Sequence, residues 1–142
     1  MATLSANVKR VYEFNADPIY NDIPAIASDI IYEGAAVGES SSTGNGRPLV
    51  GGDSFLGFAV AKCDNSSGAI GAKTIRVRQK GVVKLSVTGI TADDDLHTAI
   101  YASDDATFTT TASGATQIGK LVSWISGTTC MVYFEALGLR SI

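Results

Sequence analysis

Charge is scarce in this chain. Asp, Glu, Lys and Arg make up 18% of its 142 residues, against about 25% in an ordinary soluble domain. The net charge of −3 has the wrong sign for general nucleic-acid binding. Histidine is nearly absent. His97 stands alone, in DDDLHTA beside an apparent turn, and a hydrolytic triad needs a histidine oriented between nucleophile and carboxylate. No GxSxG elbow is present, so His97 reads as a surface or edge residue. Cysteine is limited to Cys63 and Cys130, too few for a disulfide framework. Both sit in apolar, strand-like runs and read as buried free thiols. With His97 at these spacings they do not make a metal site. One tryptophan leaves a glycosidase cleft poorly furnished. The carboxylates that would work there lie in turns (Asp93 to Asp95, Asp104, Asp105) or scattered (Glu13, Glu33, Glu39, Glu135). The Gly/Ser-rich stretch GESSSTGNGR lacks the GxxxxGK[ST] spacing of a phosphate loop. No apolar run approaches the roughly 20 residues of a membrane-spanning helix, and MATLSANVKR has no apolar core of a signal peptide. The expectation is a soluble protein made in a cytoplasm. It is expected to be no enzyme, with no cofactor, no metal and no membrane or nucleic-acid partner.

What is present is β pattern. Gly, Ser, Thr, Ala and Val are plentiful, and turn signals recur roughly every 8 to 12 residues along the second half, as in sandwiches and barrels. The cleanest stretch is Thr74 to Gly89, TIRVRQKGVVKLSVTG. Ile75 and Val77 alternate with Arg76 and Arg78. After Gln79-Lys80-Gly81, Val83, Leu85 and Val87 alternate with Lys84 and Ser86. The period of two predicts two successive strands with a buried apolar face and a wet basic face. That basic face (Arg76, Arg78, Lys80, Lys84) is either an ordinary solvated surface or an electrostatic match to an acidic partner. Single-stranded nucleic acid would want aromatics interleaved with the cations, and none lie between Thr74 and Gly89.

Elsewhere SFLGFAVAKC, Ser54 to Cys63, is apolar on both faces. It predicts a strand covered on both sides, an intersubunit contact being one way to cover it. QIGKLVSWI, Gln117 to Ile125, places Ile118, Lys120, Val122 and Trp124 on one side by strict alternation, and TCMVYFEA forms the last strong strand. Residues 1–27 differ. They hold two of the three prolines (Pro18, Pro24), the aromatics Tyr12, Phe14 and Tyr20, and no sustained period. They read as an extended N-terminal arm lying along its own barrel or a neighbouring subunit. Residues 28–142 read as the β domain. Removing such an arm is expected to leave that domain folded.

Three blocks carry a resemblance: IIYEGAAVG, then GGDSFLGFAVAKCDNSSGAIGAKTIRVRQKGVVKLSV, then AIYASDDATFTTTASGATQIGKLVSWISGTTCMVYFEA. In order and spacing they resemble the capsid cement proteins, or head decoration proteins, of tailed bacteriophages. The likeness covers roughly residues 30 to 136 and rests on the GFA strand, the RVRQKGVVKL ribbon, the AS-containing block at Ile100 to Ser103 and the IGKLV strand. The chain departs from the commoner members in its longer aromatic N-terminus.

The resemblance implies an all-β sandwich or barrel, a jelly-roll-like topology being one form of it. It implies a virion protein on the outer capsid surface, partnered by the major capsid protein and by copies of itself as a dimer or trimer. Such a protein clamps capsid subunits against the pressure of packaged DNA. The expected contact residues are Tyr12, Phe14, Tyr20, Arg76, Arg78, Lys80 and Lys84. Other expectations from a β chain without chemistry are a tail- or fibre-associated virion domain and a carbohydrate- or receptor-binding module.

Overall fold

A computed structural model describes residues 4–12, 19–40 and 44–136. Among them are eleven strands and no helix: β1 (Ile19–Pro24), β2 (Asp29–Ile31), β3 (Ala36–Glu39), β4 (Gly46–Pro48), β5 (Ser54–Ala59), β6 (Cys63–Asn65), β7 (Thr74–Thr88), β8 (Ala99–Ala102), β9 (Phe108–Thr109), β10 (Thr116–Ser126) and β11 (Thr129–Glu135). The architecture is all-β, as the turn spacing predicts. Strands β7, β11, β10, β8 and β9 close on one another into a five-stranded barrel, β9 returning to β7 as its one parallel pairing. A second set, β1, β7, β5, β3 and β4, continues from the other half of β7. A single bridge from Ala25 to Gly46 ties its two ends together. Strands β2 and β6 pair separately.

β7 is therefore shared. Its 15 residues run about 50 Å at strand rise. The side-chain alternation keeps one parity throughout: Ile75, Val77, Gly81, Val83, Leu85 and Val87 are buried, while Thr74, Arg76, Lys80, Lys84, Ser86 and Thr88 are exposed. The two halves fill two cores. Ile75 and Val77 join Ile23, Ala25, Ile31, Val37, Ala59 and Cys63. Val83, Leu85 and Val87 join Phe55, Phe58, Ile100, Phe108, Ile118, Leu121, Cys130, Val132 and Phe134. The cysteines are buried free thiols, one in each core.

Three details differ from the pattern read in the sequence. Gln79-Lys80-Gly81 does not divide β7 into two strands. Lys80 and Gly81 stay in the ladder opposite Glu135 and Phe134, and the Phe134 ring packs edge-on against Phe58 at 4.9 Å between centroids. In β10, irregular pairings between Leu121 and Ser123 and between Trp124 and Ser126 break the alternation. Ile118 and Leu121 are buried, and Val122, Trp124 and Ile125 are turned outward. The two-sided burial of β5 is met within the chain, Phe55 and Phe58 entering one core and Ala59 the other.

The described part of residues 1–27 lies on this same chain. β1 is a ladder partner of β7 from Thr74 to Lys80. Residues 4–12 run as a strap: the Val8 amide donates to the Glu33 carbonyl, and the Lys84 amide donates to the Val11 carbonyl. Val83 pairs with Val132 and also bridges to Tyr12, so the strap occupies the edge of β7 opposite β11.

Candidate functional site

The outward face of β7 is basic because its even-numbered positions are Arg76, Arg78, Lys80 and Lys84, and strand geometry aims them all one way. The structure treats these cations differently. Arg76 stands across from Asp22 of β1 and holds it in a bidentate fork, Nε to Oδ1 at 2.9 Å and Nη2 to Oδ2 at 3.0 Å. That hydrogen-bonded pairing draws the Asp22 carboxyl below its ordinary range and raises Arg76. Two residues on, Tyr20 takes the place across the ladder from Arg78. The Arg78 guanidinium lies 4.2 Å from the centroid of the Tyr12 ring, a cation–π stack that fixes its plane. Its Nε makes a long hydrogen bond of 3.4 Å to the Lys80 carbonyl. Among the described residues, no carboxylate is within ion-pairing distance of Arg78 or Lys84. Lys80 faces Ile19 on β1 and Glu135 on β11.

Beside the stack is an open cleft of about 200 Å³ lined by Val8, Arg10, Tyr12, Tyr20, Glu33, Gly34, Ala59, Val60 and Arg78. Strap, β1, the Glu33-Gly34 turn, the end of β5 and β7 thus meet there. Gly34 is required by that meeting. It sits at φ +87°, and a Cβ on it would lie 2.3 Å from the Val8 carbonyl oxygen. The turn also anchors the strap through Arg10, whose Nε donates to the Gly34 carbonyl at 2.9 Å. The Arg10 guanidinium reaches inward over the rings of Phe58 and Phe108, at 5.7 and 5.4 Å. Its desolvation there lowers its pKa, an effect opposed by nearby Tyr12 and Asp105. Tyr12 is pushed up to about 12, first by burial and against the pull of Arg78 and Arg10. At neutral pH it is a phenol, able to donate. Glu33, on the cleft wall, pairs with exposed Lys9 at 3.4 Å.

Of the seven residues read from the sequence as contacts, Tyr12, Tyr20 and Arg78 come together. Arg76 is neutralised within the chain. Lys80 and Lys84 continue the same face, and Phe14 lies outside the described residues. The aromatics missing between Thr74 and Gly89 are supplied from across the ladder by Tyr12 and Tyr20. Arg10, Glu33, Gly34 and Val60 were not legible as site residues. Lys9-Arg10 looks like a solvated pair, and only the hydrogen bond to the Gly34 carbonyl and the rings of Phe58 and Phe108 give Arg10 its role.

A second surface feature lies apart from the cleft. Val122, Trp124 and Ile125 at the end of β10 are exposed large apolar residues. Leu96 is also exposed, at 61%, and the amide of its neighbour His97 donates to the Leu121 carbonyl of β10. Among the described residues, no group of His, Cys, Asp and Glu could hold a metal ion, and His97 serves as a backbone turn residue at φ +77°. No protein-family model matches the chain, and no curated protein matches it.

Proposed function

We propose that this protein is a capsid cement protein that binds the outside of a phage head and clamps its major capsid protein subunits. The observation that carries the reading is the outward face of β7, where Arg78, Lys80 and Lys84 stand beside Tyr12, Tyr20, Val11 and Ile19, the last three exposed. A continuous strip of cations and aromatics on a rigid, doubly anchored strand suits an acidic protein surface. The cations steer encounter, and the aromatic area supplies affinity. The order of blocks along residues 30–136 supports the same assignment. Copies of the chain associate with one another through the apolar end of β10, so that each oligomer offers several weak capsid contacts at once.

The test is sedimentation of the purified protein with expanded heads that lack it. Co-sedimentation at a fixed ratio to the capsid protein is the expected result. No binding to such heads overturns the reading, and glycan binding without head binding would make the protein a carbohydrate-recognition module.

A further inference from the structure

We infer that the Arg78 cleft is a socket for a single carboxylate side chain presented by the protein partner. This rests on the cement reading for the partner's identity but not for the chemistry. Four features argue it. The fork is available: the other arginine on this face of β7 is already closed on Asp22, and the cleft's second guanidinium, Arg10, is committed to the Gly34 carbonyl and two phenylalanine rings. Among the described residues, only Nε of Arg78 has a hydrogen bond to the protein, and a long one, which leaves the Nη edge for two parallel bonds to a carboxylate. The fork is also preorganised, since the Tyr12 ring at 4.2 Å holds the guanidinium plane before any ligand arrives. The space is of side-chain size, about 200 Å³. The wall favours a monoanion: Glu33 on the cleft is paired with Lys9 and Arg10 is turned onto two phenylalanine rings, so among the described lining residues Arg78 is the cation left for a ligand, one positive charge for one negative. Around the fork, the phenols of Tyr12 and Tyr20 supply donors and flat apolar area for the methylenes of a glutamate or aspartate.

The experiment uses the full-length protein alone, titrated with the blocked tripeptide acetyl-Gly-Glu-Gly-amide at fixed ionic strength. The readout is the NMR signals of the Arg78 Nε–H and the Tyr12 ring. Both are expected to shift saturably. The Gln tripeptide should leave them unmoved, and Arg78→Gln should abolish saturation. Arg78→Lys, which keeps charge but loses the fork, should weaken binding about tenfold. Equal shifts with the Gln tripeptide, shifts unaffected by Arg78→Gln, or uniform shifts spread over Lys80 and Lys84 would each overturn the socket. So would inorganic phosphate binding more tightly than the glutamate peptide. Sedimentation with heads separates the two readings. If wild type and Arg78→Gln bind heads equally, the socket fails and the cement function stands. If the peptide binds at Arg78 but wild type does not bind heads, the socket stands and the partner is another acidic protein.

Discussion

Tyr12 has the ring of Phe134 on one side, 6.0 Å between centroids, and the Arg78 guanidinium on the other. One side chain thereby joins the barrel core to the cleft, and its ionisation is a stability term. Burial raises its pKa to about 12 from the ordinary 10. The folded state therefore favours the neutral phenol. The contribution is fully present below pH 10 and is lost as pH rises through 12, about 2–3 kcal/mol over that interval. Cys130 acts in the same direction at lower pH, its thiol raised by burial from 9 to about 11. Urea midpoints should hold steady from pH 7 to about 9 and then fall. Tyr12→Phe should reduce the fall between pH 10 and 12, to which Tyr133, also raised by burial, contributes as well, and Cys130→Ala should reduce the earlier part, to which the raised thiol of Cys63 contributes as well. An unchanged profile in Tyr12→Phe would show that the phenol is not buried as described. Arg10 gives a second residue-scale test. Replacing it by Ala removes a hydrogen bond and two cation–π contacts beneath the strap, with a loss of about 2 kcal/mol expected in urea unfolding. Arg10→Lys, which keeps charge without the planar fork, should recover only part of it.

Strand β7 was legible because its alternation keeps one parity from Ile75 to Val87, a signal that needs no tertiary information. Its continuity was not. Gly81 carries the mark of a turn, and only the partner strand, placing Phe134 opposite it, keeps that position inside a ladder. β10 failed the other way. Its residues predict a regular alternation, yet two irregular pairings turn Val122, Trp124 and Ile125 outward, and the sequence holds no sign of a bulge. β5 shows what the shared strand demands of a neighbour. Gly57 lies at φ +133°, and a Cβ there would sit 2.4 Å from the Arg78 carbonyl oxygen. Gly57→Ala thus adds both strain and a backbone clash. We expect a loss of about 2–4 kcal/mol, read as a lower urea midpoint. Because the clash falls on the Arg78 backbone, the Arg78 Nε–H signal should move in this variant even where the protein stays folded.

At the scale of the molecule, two cores hang on one strand, and the N-terminal residues belong to both. Ile23 and Ala25 fill one, and Tyr12 packs against the other. Aromatics without a period gave the segment's importance away but not its address. Pairing with β7 is set by residues 50 to 71 positions distant, from Pro24 with Thr74 to Tyr12 with Val83. The expectation that the domain survives without residues 1–27 therefore gives way to the opposite one: the truncated chain should lose β1 and the strap together and aggregate rather than fold. Function must then be probed by surface substitutions. The cationic and aromatic strip proposed as the capsid contact and the apolar end of β10 are distinct surfaces, so they can be separated. Val122→Lys/Ile125→Lys replaces two outward side chains at the irregular pairings and leaves intact the Trp124 Nε1 hydrogen bond to the Gly127 carbonyl that closes the hairpin. The double variant should unfold at an unchanged urea concentration and sediment as a monomer, whereas wild type is expected to sediment as an oligomer. Its head binding should weaken through lost multivalency, by a factor that grows with the number of contacts an oligomer makes. Arg78→Gln should do the reverse, leaving the oligomer whole while each contact weakens. An identical sedimentation coefficient for wild type and the lysine variant would remove the β10 end as the subunit contact, and the exposed Val11–Ile19–Tyr20 strip would then have to serve both roles.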